Sequence, residues 1–290
     1  MTRRDDDSGD NDTTSGPGPI VDPRDTDPFG AFKAAQKQRW ASFVAFEMLT
    51  TPVAARLVRF VGVAPGQRWL DVACGTGVVA VTAARQGACV TGLDLTPDLL
   101  VRAREHAAIG GVSIDWHEGD VEALPFGDGT FDVVVSEFGH IFAPRPAVAL
   151  AEMLRVLRRG GTIAFASWPP ELFMGRMFAL AAQYQPPPDP APAPPAAWGD
   201  PAIVRERLGE AVQDVGFDRG RMHTPALSPA HYRIRAEQTS AAIARLVETL
   251  AATDPDRLDR FRRDYDALTA EYFGGNVVRQ DFLLTRATKR

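Results

Sequence analysis

A chain of 290 residues with 45% hydrophobic content is large enough for one α/β domain with an inserted segment, or for two small domains. No apolar run reaches the ~18 residues of a membrane-spanning helix, and the first seven residues carry Arg3, Arg4 and three Asp in place of a secretory signal, so a cytoplasmic location is expected. Residues 1–28 hold eight Asp against three Arg, which equals the whole net charge of −5; the rest is neutral, without a Lys/Arg cluster, which removes the electrostatic case for nucleic-acid binding.

Residues 1–28 are polar, Asp-rich and broken by Gly and Pro, and read as a disordered acidic tail. Residues 31–48 read as a helix, with Phe32, Trp40, Phe43, Val44 and Met48 among its apolar positions. Pro52 opens a second helix to about Val61, where Val53, Leu57, Phe60 and Val61 recur near helical spacing. From Gln67 onward strands alternate with helices. Strands are expected at 68–73, 88–94, 112–117, 131–136 and 162–167. Helices follow Gly77, run from the Thr96-Pro97 start to Gly110, and span 146–158. Residues 186–195 form a stiff Pro-rich connector. Asp200-Pro201 opens a helix to about Val215; Ser228-Pro229 and Asp254-Pro255 open helices over 229–250 and 255–273. Further strands are expected at 217–224 and 277–287.

Short strands separated by helices imply an α/β fold, a doubly wound, mostly parallel sheet covered on both faces. In such sheets ligands bind beyond the carboxyl ends of the strands. The two cysteines, Cys74 and Cys89, make no disulfide framework, and no Cys/His spacing suggests zinc, so no metal site is expected.

The chemistry concentrates where strands end. Trp69-Leu70-Asp71-Val72 runs directly into Ala73-Cys74-Gly75-Thr76-Gly77, a small-residue turn that lets a ligand approach the backbone. Asp94 ends the second strand and Asp120 follows the third. A carboxylate offers only acceptors and makes strong charge-assisted bonds, which suits ribose hydroxyls or an adenine amino group.

Residues 30–168 resemble class I S-adenosylmethionine (SAM) methyltransferases, in the subgroup related to ubiquinone and menaquinone biosynthesis enzymes. The resemblance rests on 71–77, on Val90 to Leu95, on Glu118 to Phe126, on Phe131 to Glu137 and on Met153 to Gly161. It implies a seven-stranded Rossmann-like sheet with its last two strands antiparallel at one edge. The implied divisions are the tail 1–28, N-terminal helices 29–64, a SAM-binding core 65–169 and a substrate cover 170–290 with a helical insertion at 228–275. It also implies that Ala73, Gly75 and Gly77 line the methionine portion, with Cys74 and Thr76 of the same loop in the cofactor site and Asp71 orienting the loop and the amino group. Asp94 would hold the ribose, Leu95 pack on the adenine with Val121 beside it, Asp120 meet its amino group, and the backbone near Ser136 and Glu137 face the methionine end.

SAM brings an already activated methyl, so the protein mainly positions a nucleophile; orientation contributes ~7–11 kcal/mol in favourable cases. The expected acceptor is a small, partly hydrophobic molecule attacked in line; oligomeric state is not legible. If a base assists, His140 is the candidate, the alternative being a histidine that shapes the pocket or caps a turn. Trp40 either closes over the site or packs in the core. Phe173, Met174, Met177 and Phe178 either line an apolar pocket or pack a helix. His106 reads as peripheral. Two other functions fit parts of the pattern. Gly75-Thr76-Gly77-Val78-Val79-Ala80, with Asp94 seventeen residues after Gly77, matches a dinucleotide fingerprint and an NAD(P)-dependent oxidoreductase. A SAM-binding protein without catalysis is the third.

Overall fold

The computed structural model describes residues 27–40, 47–186 and 189–290. The strands are β1 (Arg68–Val72), β2 (Cys89–Asp94), β3 (Asp115–Glu118), β4 (Phe131–Glu137), β5 (Leu157–Ser167), β6 (Val212–Pro225), β7 (Phe273–Gly274) and β8 (Val277–Lys289). The first five are parallel in the order β3-β2-β1-β4-β5, after which β8 and then β6 add antiparallel. The chain runs outward from β1 to β3, then returns to lay β4 on the other side of β1. That reversal leaves a crevice between the β1 and β4 tips, where doubly wound sheets bind their ligands.

The helices are α1 (Gly30–Trp40), α2 (Glu47–Val61), α3 (Val78–Ala84), α4 (Pro97–Ile109), α5 (Pro146–Val156), α6 (Phe173–Gln183), α7 (Pro201–Leu208), α8 (Pro229–Thr239), α9 (Ala241–Thr253) and α10 (Pro255–Ala270). α2, α3 and α4 pack side by side on one face of the sheet; α5 and α7 touch each other on the opposite face. Strand residues between these layers are almost wholly apolar, as a sheet covered on both faces requires: Trp69, Leu70, Val134, Ile163, Ala164 and Phe165 are all fully buried.

Several boundaries differ from the sequence reading. α2 starts at Glu47, so Pro52 lies inside it. The bond that Pro52 cannot donate is lost near an exposed first turn, where Met48 is 76% exposed. Phe43 and Val44 fall outside the described residues, as do residues 1–26 of the acidic tail. The helix from Pro201 stops at Leu208, because Gly209 (φ 50°) turns the chain and β6 begins at Val212. The expected helix 229–250 is two helices meeting at Ser240. β7 raises the strand count from seven to eight.

The caps at Asp200, Ser228 and Asp254 form as read, each side chain accepting a backbone N–H in the first turn of its helix. Thr96 holds the cap position of α4 without a side-chain bond.

β6 and β8 outrun β5. β5 ends at the Ser167↔Leu283 pair, whereas β6 and β8 continue to Pro225↔Val277. This overhang carries α8, α9 and α10, which with α6 enclose a second apolar cluster including Phe173, Met177, Leu246, Phe261, Tyr265 and Val278. The cluster stands beside the strand tips. Among the described residues, no helix is long and apolar enough to cross a membrane.

Candidate active site

Beyond β1 the chain turns through 73–77 into α3. Ala73 (φ 52°), Gly75 (φ 55°) and Gly77 (φ 80°) all adopt left-handed backbone. Glycine accepts this freely; an alanine there is strained and must be held by its neighbours. Gly139, just beyond β4, presses on it: a Cβ built on Gly139 would lie 2.5 Å from the Ala73 Cβ. On the other side, a Cβ on Gly77 would lie 2.7 Å from the Trp116 ring, and one on Gly92 of β2 would lie 2.3 Å from the same ring. Trp116 of β3 therefore underlies both the loop and the β2 strand. The sequence reading missed it, although a glycine inside a strand is the signal for such close approach.

Asp94 ties the loop to the β2 tip. Its two oxygens accept the backbone N–H groups of Gly75 and Thr96, each at 2.8 Å. Burial raises its carboxyl above the usual range, partly offset by these two bonds. Each carboxylate oxygen retains a lone pair, so Asp94 can still accept from a ligand hydroxyl.

Asp71 is also buried. Its Oδ2 accepts the Ala80 N–H at 2.9 Å, and its Oδ1 has no partner. Burial pushes this carboxyl up to about 8, against the Ala80 bond and with a further push from Asp94. Glu137 ends β4. The Asp71↔Val135 pairing puts Glu137, two residues on, on the same side of the sheet as Asp71. Both Glu137 carboxylate oxygens are buried and unpartnered; burial, then the charge of Asp71, pushes the carboxyl well above its ordinary value. Three carboxylate oxygens at the β1 and β4 ends are thus buried without donors, a costly arrangement unless a cationic or donor-bearing ligand supplies them.

Cys74 and Thr76 are buried in the loop, and burial, reinforced by Asp71 and Asp94, drives the Cys74 thiol upward. The Thr76 carbonyl accepts from His106 Nδ1 at 2.8 Å, and the other ring nitrogen lies 3.5 Å from Glu47 of α2. His106 is therefore a contact of the loop and not peripheral. Leu95 and Val121 are half-buried, Val121 against the main core.

Asp120 is already engaged. Its Oδ1 accepts the Glu122 N–H at 2.9 Å, and its Oδ2 lies 2.6 Å from the Lys33 ammonium. Lys33, only 8% exposed, also reaches Asp27 and Glu122 at 2.6 Å each. Arg145 joins the Glu122 side chain at 2.7 Å. The three carboxylates converge as a metal site would, but the Lys33 ammonium fills the centre. Helix α1 is thereby clasped to the segment after β3. Farther along α1, Trp40 meets Phe142 at 4.7 Å between ring centroids, and Phe142 meets Phe178 at 6.0 Å. Phe138 stacks on Trp168 at 4.0 Å, with Phe282 edge-on at 6.2 Å. Phe173 and Met177 instead pack in the second cluster.

His140 does not join these groups. Ser136, fully buried, accepts the His140 backbone N–H on its hydroxyl at 3.1 Å. The imidazole lies between Phe165 at 4.7 Å and Trp198 at 4.8 Å, on the face covered by α5 and α7. Asp71 bonds to α3 on the opposite face. Both ring nitrogens of His140 are buried without partners, and burial, with the charge of Arg207, lowers its pKa to about 3. Such a ring does not take up a proton near neutrality, which speaks against a general base here.

Residues 70–165 match the family model described as "Methyltransferase domain". The chain is 36% identical over 268 residues to an uncharacterised protein of Mycobacterium tuberculosis, covering 89% of this chain and 95% of that one. Over 102 residues it is 43% identical to the ubiquinone/menaquinone biosynthesis C-methyltransferase of Roseobacter denitrificans, 34% of this chain and 41% of the relative. A solved structure of phosphoethanolamine N-methyltransferase 2 from Haemonchus contortus, bound to S-adenosylhomocysteine, superposes with a TM-score of 0.56 at 17% identity. That match covers 91% of this chain and 60% of the other, and establishes likeness of fold.

Proposed function

The chain belongs to the class I SAM-dependent methyltransferases, and from that premise we propose that it methylates a small, partly hydrophobic acceptor held over the tips of β1 and β4. One observation carries the reading. A glycine loop is fastened to the Asp94 carboxylate while Asp71 and Glu137 keep unpartnered oxygens beside it.

These residues fit SAM. In this reading 73–77 line the methionine portion with their backbone, Asp94 accepts the ribose hydroxyls, and Leu95 and Val121 pack on the adenine. Asp120 accepts from the adenine amino group on a lone pair that Lys33 leaves free. Asp71 holds the loop through Ala80 and offers its other oxygen to the ammonium end. SAM supplies a methyl group on a positively charged sulfur, which needs no further activation. The protein's work is orientation and exclusion of water, and orientation alone is worth ~7–11 kcal/mol in favourable cases.

The apolar character of the acceptor follows from the rings around the tips. Phe142, in the turn after β4, meets Trp40 of α1 and Phe178 of α6, and these half-buried rings support an apolar acceptor. His140 contributes packing between Phe165 and Trp198 and no proton transfer.

The test is to incubate the purified protein with methyl-labelled SAM and a host metabolite extract, then identify the labelled product. A labelled small molecule of partly apolar character supports the reading. Label found only on macromolecules overturns it.

A further inference from the structure

Glu137, at the tip of β4, is a buried acid with no protein partner. A carboxylate at a strand tip ordinarily meets backbone N–H groups, an arginine or a lysine. Here both oxygens are buried and neither meets a donor. Among the described residues no cation pairs with it, and the titratable group whose charge bears on it is another carboxylate, Asp71. Asp71 likewise keeps one oxygen without a donor. Ionising two buried acids on the same side of the sheet is expensive unless positive charge arrives with a ligand.

The two forms of the cofactor differ in that charge. SAM carries two cationic centres, an ammonium and a sulfonium. S-adenosylhomocysteine, the product, keeps the ammonium and has a neutral thioether in place of the sulfonium. Asp71 stands at the root of the loop, and Glu137 stands one strand over, at the tip of β4.

Resting on the SAM reading of this site, we propose that Glu137 is a charge-selective specificity residue: its carboxylate faces the sulfonium end of the bound cofactor and makes the site prefer the cationic methyl donor over the neutral product. Asp71 answers the ammonium, which both forms possess. Glu137 answers the charge that only the donor possesses. Once the methyl group has left, the charge that Glu137 answers is gone, and the product is held less tightly than the donor. The device needs no acceptor to operate.

The experiment is calorimetric titration of the wild-type protein and of Glu137→Gln with three ligands: SAM, S-adenosylhomocysteine, and sinefungin, which carries a protonatable amine in place of the sulfonium. The sulfonium has no hydrogen to donate and acts on Glu137 through its charge, so the wild type should bind SAM and sinefungin at least ~10-fold tighter than S-adenosylhomocysteine. In Glu137→Gln that ratio should fall toward one, with S-adenosylhomocysteine affinity kept or improved. Retained product binding also shows that the variant is folded. A wild type that binds all three equally overturns the inference and leaves the SAM reading standing. So does a Glu137→Gln protein that keeps the preference, or that loses product affinity as well. A wild type that binds none of the three overturns the SAM reading itself.

Discussion

The Lys33 ammonium lies 2.6 Å from Glu122 Oε2, joining α1 to a carboxylate 89 residues away whose side chain is fully enclosed. Burial alone would lower the Lys33 pKa, but hydrogen bonds to Asp120, Asp27 and Glu122 outweigh it and raise the net value. The stabilisation is therefore present below the ordinary lysine value and lost only as pH rises through the elevated one. Lys33→Met removes the cation and leaves three converging acids. Breaking a buried ion pair from one side costs about 3 kcal/mol, and urea unfolding at pH 7 should show a loss of that order. Unchanged stability would mean that the clasp contributes nothing.

Gly77 is the second structural test. Its φ of 80° and the 2.7 Å approach of a built Cβ to Trp116 leave no room for a side chain. A left-handed alanine costs about 1–2 kcal/mol and overpacking about 1–3 kcal/mol more, so Gly77→Ala should destabilise measurably and weaken cofactor binding. The pairing of Gly77→Ala with Trp116→Phe reports on cause. If the ring is the obstacle, the second substitution restores part of the loss; purely additive losses contradict the contact.

His140 separates a packing role from a catalytic one. Its pKa of about 3 lies below the ordinary 6.5, so the unfolded chain binds a proton that the folded one refuses. Its stabilising effect is full above pH 6.5 and is lost as pH falls toward 3, with a slope approaching ~1.4 kcal/mol per pH unit. His140→Leu should flatten that part of the stability profile and leave methyl transfer near the wild-type rate. A general base would instead contribute about 100-fold or more, so a rate loss of that size overturns the packing role.

Much of the site could be read from the chain. A run of β-favouring residues entering a glycine turn places Asp71 and 73–77, and the end of an apolar strand places Asp94. These features are local, fixed by the alternation of strand and loop. Lys33 and Trp116 were not legible, because their partners lie on other elements: Lys33 meets acids after β3, and Trp116 crosses glycines in β2 and the loop. The place of His140 just beyond a strand tip predicts a pocket residue. Its ring is turned to the other face by Trp198, which lies 58 positions later, in the turn at Pro195–Gly199. Thr96 occupies a cap position, yet its own N–H is taken by Asp94 while its hydroxyl stays unpartnered.

The paired acids also predict a proton. Asp71 titrates at about 8 and Glu137 well above its ordinary value, chiefly through burial. Without ligand the folded state therefore loses stability as pH rises from the ordinary carboxylate range through 8. A cationic ligand favours the ionised pair, so binding near neutrality expels a proton. Calorimetry at pH 7 in two buffers of different ionisation enthalpy should report release of about one proton per SAM bound. Asp71→Asn should reduce it. Binding with no proton exchanged would contradict the protonated pair.

The most direct test of the whole account is titration of SAM and NAD into the wild-type protein and into Asp94→Ala. Loss of a charge-assisted acceptor and of the Gly75 tether should weaken SAM binding by about 10-fold to 100-fold, with wild type binding SAM and not NAD. Near-normal SAM affinity in Asp94→Ala, or a wild type that takes NAD and ignores SAM, would contradict it.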